Sequence, residues 1–248
     1  MTATVVLVPG AWHGAWAWDR VTPLLSAADV SSVAVDLPGR GPGGGRLGDL
    51  HADSAALATE LDRHDSVVLV GHSYGGAVIT EAGDHPAVAH LVYVAGFPIR
   101  PDESCARAAE AEAEALDPRG RTDLGSGFVP GADGTVTLDP AVAKDCLYND
   151  CDEATAQWAL ERLGPQRLAS LSDSPARVAW RTRPSTYLVC AADRTVHPDL
   201  QRILARRCGA TIEWPTGHSP FLSDPKRVAD LLVGIVDMVN IAGPDEGA

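Results

Sequence analysis

The sequence predicts a doubly wound α/β sheet, and three features of the chain support this prediction. Short apolar runs rich in Val recur along the chain, and near-continuous hydrophobicity is typical of parallel strands that are covered on both faces. Helical patterns separate most of these runs, so that strand and helix alternate. The length of 248 residues and the apolar content of 45% are sufficient for a sizeable core.

Six apolar runs are predicted as strands, and five intervening or following segments are predicted as helices. The predicted strands are 4–8, 33–36, 67–70, 91–95, 186–190 and 211–214, and the predicted helices are 17–28, 53–64, 76–83, 198–208 and 225–241. The last helix has Asp224 as its predicted N-cap and Pro225 at its first position, and both residue types are favoured there.

The alternation of strand and helix breaks after the fourth predicted strand. The interval contains an Ala/Glu-rich helical pattern at 102–116, a Gly/Pro/Asp-rich stretch at 117–140 and a further helical segment at 152–163. It lacks a strand–helix rhythm of its own, so we expect a helical cap inserted into the sheet domain. The predicted core is formed by 1–97 and 184–248, and the predicted cap by 98–183.

Charge and cysteine content bear on partners, cofactors and compartment. The 33 acidic and 20 basic residues give a net charge of -13, which disfavours nucleic acid and anionic membranes as partners. Five scattered cysteines without a CxxC pair indicate neither a disulfide framework nor a thiolate zinc site, and they fit a reducing compartment. The sequence has no signal-peptide pattern and no long apolar stretch. We therefore expect a cytoplasmic protein without a metal or organic cofactor.

A serine flanked by glycines lies at a predicted strand-to-helix junction. The segment 71–76, GHSYGG, follows the strand at 67–70 directly and precedes an apolar helix start. A serine on such a sharp turn adopts strained dihedral angles, and flanking glycines remove Cβ atoms that would collide with neighbouring backbone. The pentapeptide G-x-S-x-G is a weak signal alone, but this setting favours Ser73 as a nucleophile over a simple glycine turn.

A serine nucleophile needs a base to deprotonate it and a carboxylate to orient that base. His218 follows the last predicted strand, at the carboxyl edge where open α/β sheets place their sites, and is the predicted base. Asp193 follows the strand at 186–190 at the same edge and is the predicted carboxylate, with Asp102 and Asp36 as alternatives. The other histidines are expected in structural or surface roles, except that His13 is a candidate for shaping the pocket: His13, His51, His64, His72, His85, His90 and His197.

Two backbone amides are predicted to stabilise the negative charge that develops on the substrate carbonyl oxygen. One belongs to Tyr74, directly after the nucleophile, and the other to Ala11 in the loop after the first strand. A simple turn at this loop is the alternative. Trp12, Phe97 and Trp158 are candidates for lining an apolar substrate pocket, against the alternative that these aromatic side chains belong to the core.

The segment 38–48 contains six glycines but matches no phosphate-binding pattern. It lacks G-x-x-x-x-G-K-[ST], and it lacks a G-x-G-x-x-G followed by a helix and a later acidic residue. We interpret it as a flexible strand-to-helix loop.

Taken together, these motifs resemble the α/β-hydrolase superfamily. The likeness narrows to the branch that holds plant hydroxynitrile lyases, methyl-salicylate-type methylesterases and bacterial esterase relatives, and it covers 4–97 and 184–240 well but the cap only loosely. The resemblance implies the α/β-hydrolase fold and ester hydrolysis through Ser73, His218 and Asp193. The segments that carry it are VLVPGAWHGAW at 6–16, DLPGRG at 36–41, GHSYGG at 71–76, ADR at 192–194 and GH at 217–218.

Departures from the pattern of this branch favour an esterase over a lyase. The lyases carry a lysine directly after the catalytic histidine and a threonine in the oxyanion loop, where this chain has Ser219 and Gly10. A buried ammonium would stabilise a leaving cyanide ion. The usual His-Gly after the first strand is Pro9-Gly10 here. We predict an esterase for a small, largely apolar ester, with a C–C lyase, a rearrangement of a secondary metabolite or a small-ligand sensor as alternatives. The sequence indicates no oligomeric state.

Overall fold

A computed structural model describes residues 2–109, 124–131 and 133–242 of the chain. Its strands are β1 (Thr4–Val8), β2 (Ser32–Ala34), β3 (Val67–His72), β4 (Val88–Val94), β5 (Phe128–Pro130), β6 (Thr135–Leu138), β7 (Gln166–Arg167), β8 (Ser185–Cys190) and β9 (Ala210–Trp214). We number eight of its α-helices in chain order: α1 (Thr22–Ala27), α2 (Leu50–Leu61), α3 (Tyr74–Ala82), α4 (Pro140–Leu147), α5 (Glu153–Leu160), α6 (Pro198–Ala205), α7 (Pro220–Ser223) and α8 (Pro225–Ala242).

Six strands form a parallel sheet in the order β2-β1-β3-β4-β8-β9. The doubly wound α/β prediction is therefore confirmed. Because all six strands run in one direction, the loops after β1, β3, β8 and β9 leave the same edge of the sheet. The chain reaches β2 on one side of β1 and β3 on the other, and ligands of open α/β sheets bind at such a switch point.

Both faces of the sheet are buried, which explains the uniformly apolar strands. Along β1, Val6 and Val8 pack into the hydrophobic cluster on one face, whereas Val5 and Leu7 pack into the cluster on the other. Alternate side chains of a strand point to opposite faces, so a sheet covered on both sides needs apolar residues at every position.

The predicted elements of the sheet domain are present, with changes at their ends. The predicted helix at 17–28 is interrupted: a 3-10 turn at Ala15–Trp18 precedes α1, which begins with Pro23 in its first turn, where proline is tolerated. The predicted N-cap residue of the last helix, α8, is confirmed, because the Asp224 side chain accepts a hydrogen bond from the Arg227 amide at 3.3 Å.

The cap segment, 98–183, contains more than the predicted helices. The strands β5, β6 and β7 form a small antiparallel sheet that the sequence did not predict. Two of these strands lie within the stretch at 117–140, where the β-branched residues of β6 favour an extended chain and Gly134 adopts φ 78°. The helical segment at 152–163 is present as α5. The predicted helix at 102–116 starts later than expected: 102–104 are not helical, 105–109 are helical, and 110–116 lie outside the described residues.

The β3–α3 junction packs closely against the loops that follow β1 and β4. A Cβ atom added at Gly76 would lie 2.4 Å from the backbone nitrogen of Phe97, and one added at Gly75 would lie 2.6 Å from the carbonyl oxygen of Pro9. These glycines therefore allow α3 to start directly against the loops that follow β1 and β4. Within the part of the chain that the structure describes, no helix has the length and apolarity needed to cross a membrane.

Replacing Gly76 by alanine is expected to lower the free energy of unfolding by about 1–3 kcal/mol, because the new Cβ would collide with backbone that cannot rotate away. Gly234→Ala is the matched control, since Gly234 is exposed within α8 and an added Cβ would meet no heavy atom within 4 Å. Alanine is favoured over glycine in a helix by about 1 kcal/mol, so this control is expected to gain stability. Urea denaturation measures both variants, and equal shifts would contradict the steric explanation.

Candidate active site

A cavity of about 660 Å³ lies at the carboxyl edge of the parallel sheet. Residues that follow β1, β3, β8 and β9 form one part of its wall, and residues of the cap form the other. The wall includes five residues predicted from the sequence to take part in catalysis: Ala11, Ser73, Tyr74, Asp193 and His218. The structure therefore brings these five together from four separate loops.

Apolar side chains make up most of the cavity wall. Trp12 and Phe97, two of the three aromatic residues predicted to line a substrate pocket, are among them. The cap contributes Leu124, Phe128, Leu147, Leu168 and Leu171. The wall can accommodate an apolar ligand beside a small group of polar atoms, an arrangement typical of small-molecule sites.

Trp158, the third predicted aromatic residue, is not in the cavity wall. Its ring packs edge-on against Trp16, with 5.5 Å between ring centroids. The guanidinium groups of Arg20 and Arg162 lie 5.7 and 4.4 Å from its centroid. The structure thus corrects the prediction that Trp158 contacts substrate, because its position on α5 directs it towards the loop after β1 and two surface arginines.

Ser73 occupies a strained turn between β3 and α3. Its backbone has φ 49° and ψ -121°, a conformation that costs a non-glycine residue of order 1–3 kcal/mol. Three backbone hydrogen bonds hold it there: its amide donates to Val94, and its carbonyl oxygen accepts from Gly76 and Phe97. This turn places Ser73 in the wall of the cavity.

Asp193 accepts four hydrogen bonds, two on each carboxylate oxygen. Oδ1 accepts from the backbone amides of Thr195 and Val196 at 2.6 and 2.9 Å. Oδ2 accepts from His218 Nδ1 and from Gln201 Nε2, both at 2.7 Å. Three of these partners, the two backbone amides and the Gln201 amide nitrogen, can only donate, so the carboxylate acts as an acceptor here. The alternatives are elsewhere: Asp36 accepts from the Ala15 amide, and the side chain of Asp102 is 78% exposed.

His218 is buried, and its hydrogen bond to Asp193 determines which ring nitrogen carries the proton. Nδ1 donates to the carboxylate, which leaves Nε2 as the basic nitrogen. Ser73 and His218 line the same cavity, but among the described residues no hydrogen bond joins the Ser73 hydroxyl to the imidazole. Hydrogen bonds between a nucleophile and its base are often long in unliganded enzymes and tighten with substrate.

The amides of Ala11 and Tyr74 are available to a ligand. Neither donates a hydrogen bond to any other residue that the structure describes, although both residues are almost completely buried in the cavity wall. The Tyr74 amide also lies at the N-terminus of α3, where backbone amides favour negative charge. Such a pair of free amides is suited to binding an oxyanion.

Trp12 connects the loop after β1 to the cap. Its backbone adopts φ 63°, its amide donates to Gln166 Oε1 at 3.3 Å, and its carbonyl oxygen accepts from the Gly164 amide at 2.9 Å. The indole Nε1 donates to the carbonyl oxygen of Val136 at 3.0 Å. Three hydrogen bonds therefore fix the residue next to Ala11 to cap residues.

Two buried histidines support the loops of the site in their neutral forms. His13 Nδ1 donates to the Ala11 carbonyl oxygen at 2.7 Å, and its Nε2 accepts from the Tyr148 hydroxyl at 2.8 Å. Burial lowers the pKa of His13 to about 4. His72 Nε2 donates to the backbone oxygen of His218 at 3.0 Å, and burial, with the neighbouring His218 and His13, lowers its pKa well below the usual range.

The sequence did not identify Gln201 or Tyr148 as parts of the site. Gln201 orients Asp193, and its own Oε1 accepts from the Cys190 amide at 2.9 Å, which fixes the amide orientation. Its position inside the predicted helix at 198–208, shortly after Asp193, was the only available signal. Tyr148 reaches His13 from the cap, and no sequence pattern links residues so far apart.

Comparison with known families shows which family the chain belongs to. The model of the alpha/beta hydrolase family matches residues 5–231. This chain belongs to the alpha/beta hydrolase family. The family resemblance predicted from the segments around β1, Ser73, Asp193 and His218 is therefore confirmed.

Individual relatives of this alpha/beta hydrolase match it along most of its length. The alpha/beta hydrolase nvfD of Aspergillus novofumigatus is 29% identical over 248 residues, which cover 92% of this chain and 94% of that protein. Methylesterase 2 of Arabidopsis thaliana is 29% identical over 252 residues, which cover 94% of this chain and 95% of the relative. The crystal structure of polyneuridine aldehyde esterase matches with a TM-score of 0.80 at 21% identity, covering 95% of this chain and 99% of that one. This structural likeness shows the shared fold.

The low pKa of His13 predicts a pH-dependent stability. The imidazole has a pKa of about 4 in the folded protein against about 6.5 in an unfolded chain, so between these values the unfolded chain binds one more proton. We expect the free energy of unfolding to fall as the pH decreases from 6.5 to 4. His13→Gln keeps one donor and one acceptor, and it is expected to remove up to about 1.4 kcal/mol per pH unit from that slope. Urea denaturation from pH 4 to 7 measures it, and an unchanged slope would count against the assignment.

Proposed function

We propose that this alpha/beta hydrolase cleaves carboxylic esters of small, largely apolar substrates through an acyl-enzyme formed on Ser73. The observation that carries the proposal is the composition of one cavity wall. It combines a serine on a strained turn, a histidine hydrogen-bonded to a carboxylate, and two unengaged backbone amides. The methylesterase and esterase names of the relatives support ester hydrolysis in general.

In the proposed first step, His218 Nε2 removes the proton of the Ser73 hydroxyl as the oxygen attacks the acyl carbon. The negative charge moves onto the former carbonyl oxygen, where the amides of Ala11 and Tyr74 donate to it. His218 then returns the proton to the leaving alcohol oxygen as the C–O bond breaks. Water repeats the sequence on the acyl-enzyme and releases the acid.

The hydrogen bonds of Asp193 support its role beside His218. The carboxylate keeps Nδ1 protonated, so that Nε2 is available as the base, and it stabilises the imidazolium that forms during proton transfer. Four donors fix the carboxylate in position, and the side chains of Asp193 and His218 are 0% and 1% exposed. Their interaction is therefore little screened by water.

The cavity supports a largely apolar substrate. Its volume of about 660 Å³ lies within the range of small-molecule sites, and the cap contributes mainly leucine and phenylalanine side chains. Discrimination against substrates that differ by one methylene is worth only about 1–3 kcal/mol in such a pocket. A series of p-nitrophenyl esters with acyl chains of increasing length would define the preferred acyl group.

Ser73→Ala is expected to lower kcat for p-nitrophenyl acetate by at least about 10⁴-fold and to abolish covalent labelling by a fluorophosphonate. The variant removes only the oxygen that attacks the acyl carbon. Ser172→Ala is the matched control, because Ser172 lines the same cavity and its variant should retain labelling. Hydrolysis by Ser73→Ala at the wild-type rate would reject the acyl-enzyme. Normal turnover of another substrate by that variant would favour the non-hydrolytic alternative.

Asp193→Asn is expected to lower kcat by about 10³–10⁴-fold while KM changes by only a few fold. An amide offers one accepting oxygen, whereas this site presents two donors to each oxygen of the carboxylate. In either orientation, an NH₂ group would face two donors. Asp139→Asn is the control, because Asp139 is the N-cap of α4, a position that asparagine also fills well. Steady-state kinetics compare the two, and equal effects would argue against a specific role for Asp193.

A further inference from the structure

A buried ion pair lies behind the oxyanion amides. Arg40, from the glycine-rich segment 38–48, has its Nη2 3.2 Å from Oδ2 of Asp53 on α2, and the two side chains are 4% and 0% exposed. Among the residues that the structure describes, Arg40 Nε and Asp53 Oδ1 have no hydrogen-bond partner. Burying two charges with incomplete pairing is costly, and such a pair is weak evidence for a purely stabilising role. Its contacts point to another role.

The arginine contacts the peptide that carries the first oxyanion amide. Arg40 Nη1 donates to the carbonyl oxygen of Gly10 at 3.3 Å. This oxygen and the Ala11 N–H belong to one peptide unit, and in a planar trans peptide they point in opposite directions. A cation that holds the oxygen on one side therefore fixes the direction of the N–H on the other. It also polarises the peptide, which makes the N–H a stronger donor.

The carboxylate contacts the residue that carries the second oxyanion amide. The Tyr74 hydroxyl donates to Asp53 Oδ2 at 2.8 Å, and the Arg40 guanidinium carbon lies 5.2 Å from the centroid of the Tyr74 ring. Tyr74 is almost completely buried, so both ends of its side chain are fixed. The same two charges thus contact the Gly10–Ala11 peptide and the Tyr74 side chain.

Glycines of the surrounding loop make room for this arrangement. Gly39 adopts φ 77°, and a Cβ atom there would lie 2.8 Å from the Leu47 amide nitrogen. At Gly48 an added Cβ would lie 2.2 Å from Asp53 Oδ1. The glycine-rich segment, which has no phosphate-binding pattern, therefore folds so that Arg40 and Asp53 can meet beneath the site.

We propose that Arg40 and Asp53 are positioning residues that orient the Ala11 and Tyr74 amides towards the developing oxyanion. The inference rests on the proposed function, because it assigns these amides to the transition state of ester hydrolysis. Neither side chain lies in the cavity wall, so the pair acts through the two backbone donors and not by touching substrate. Its loss should weaken the binding of a tetrahedral oxyanion far more than that of a neutral ester.

The test compares Arg40→Met, Arg40→Lys and Tyr74→Phe with the wild-type protein. The readouts are kcat and KM for p-nitrophenyl acetate and the Kd of an alkyl trifluoromethyl ketone, which forms a tetrahedral oxyanion adduct with a serine. Removing one oxyanion donor outright costs about 10²–10³-fold in kcat. We expect about 10²-fold for Arg40→Met, about 10-fold for Tyr74→Phe and partial recovery in Arg40→Lys. KM should stay within about 2-fold, and ketone affinity should fall in parallel with kcat.

Arg183→Met is the matched control. Arg183 also donates to backbone carbonyl oxygens, those of Asp84 and His85, and its Nε likewise has no partner in the described part of the chain. It precedes β8 and therefore lies at the opposite edge of the sheet. Its variant should lose stability in urea denaturation and retain kcat and ketone affinity. Tyr74→Phe is mild enough to keep the test informative if Arg40→Met does not fold.

The outcomes separate the two proposals. If the wild type neither hydrolyses the ester nor binds the ketone, the proposed function fails and this inference fails with it. If the wild type does both and the Arg40 and Tyr74 variants change only the free energy of unfolding, the pair is structural and only this inference is overturned. A parallel loss of kcat and ketone affinity at constant KM supports it.

Discussion

The site depends on a backbone strain that the surrounding packing maintains. Ser73 has φ 49° because three hydrogen bonds and the close approach of α3 to the loop after β4 allow no relaxed alternative. The fold tolerates this strain because Gly71, Gly75 and Gly76 leave room for the close backbone contacts around the turn and because the sheet below is buried on both faces. The packing that buries both faces of the sheet therefore also holds Ser73 at the edge of the sheet, in the cavity wall.

Around this turn, Nδ1 of His218 and Nδ1 of His13 each face a group that accepts a hydrogen bond, and these groups determine which ring nitrogen carries the proton. Two backbone amides and the Gln201 amide give Asp193 three donors, so the carboxylate is an acceptor, and His218 Nδ1, its fourth partner, must hold its proton. The Ala11 carbonyl oxygen can only accept, so His13 Nδ1 must donate and its Nε2 must receive the Tyr148 hydroxyl. Burial keeps His13 neutral, and its geometry is therefore independent of pH near neutrality.

Local patterns in the sequence predicted much of the fold, and they singled out five residues that the structure brings together at one cavity. Uniformly apolar strands follow from burial on both faces, and the spacing of glycines around Ser73 follows from one steric requirement. The small sheet of the cap was missed because a Gly/Pro/Asp-rich stretch obscures its short strands. Trp158 was misplaced because a helical position does not reveal which neighbour its ring meets. The contacts of Gln201, Arg40 and Asp53 join distant parts of the chain, and no local pattern encodes them.

The attachment of Trp12 to the cap limits how this protein can be modified. Its amide, carbonyl and indole groups all form hydrogen bonds with the segment 98–183, while the adjacent Ala11 lines the cavity. A chimera that receives the cap of a relative would leave these groups buried without partners unless the donor supplies equivalents of Gln166, Gly164 and Val136. The cap and the loop that carries the proposed oxyanion amide are therefore structurally coupled, and a cap exchange requires redesigning position 12 as well.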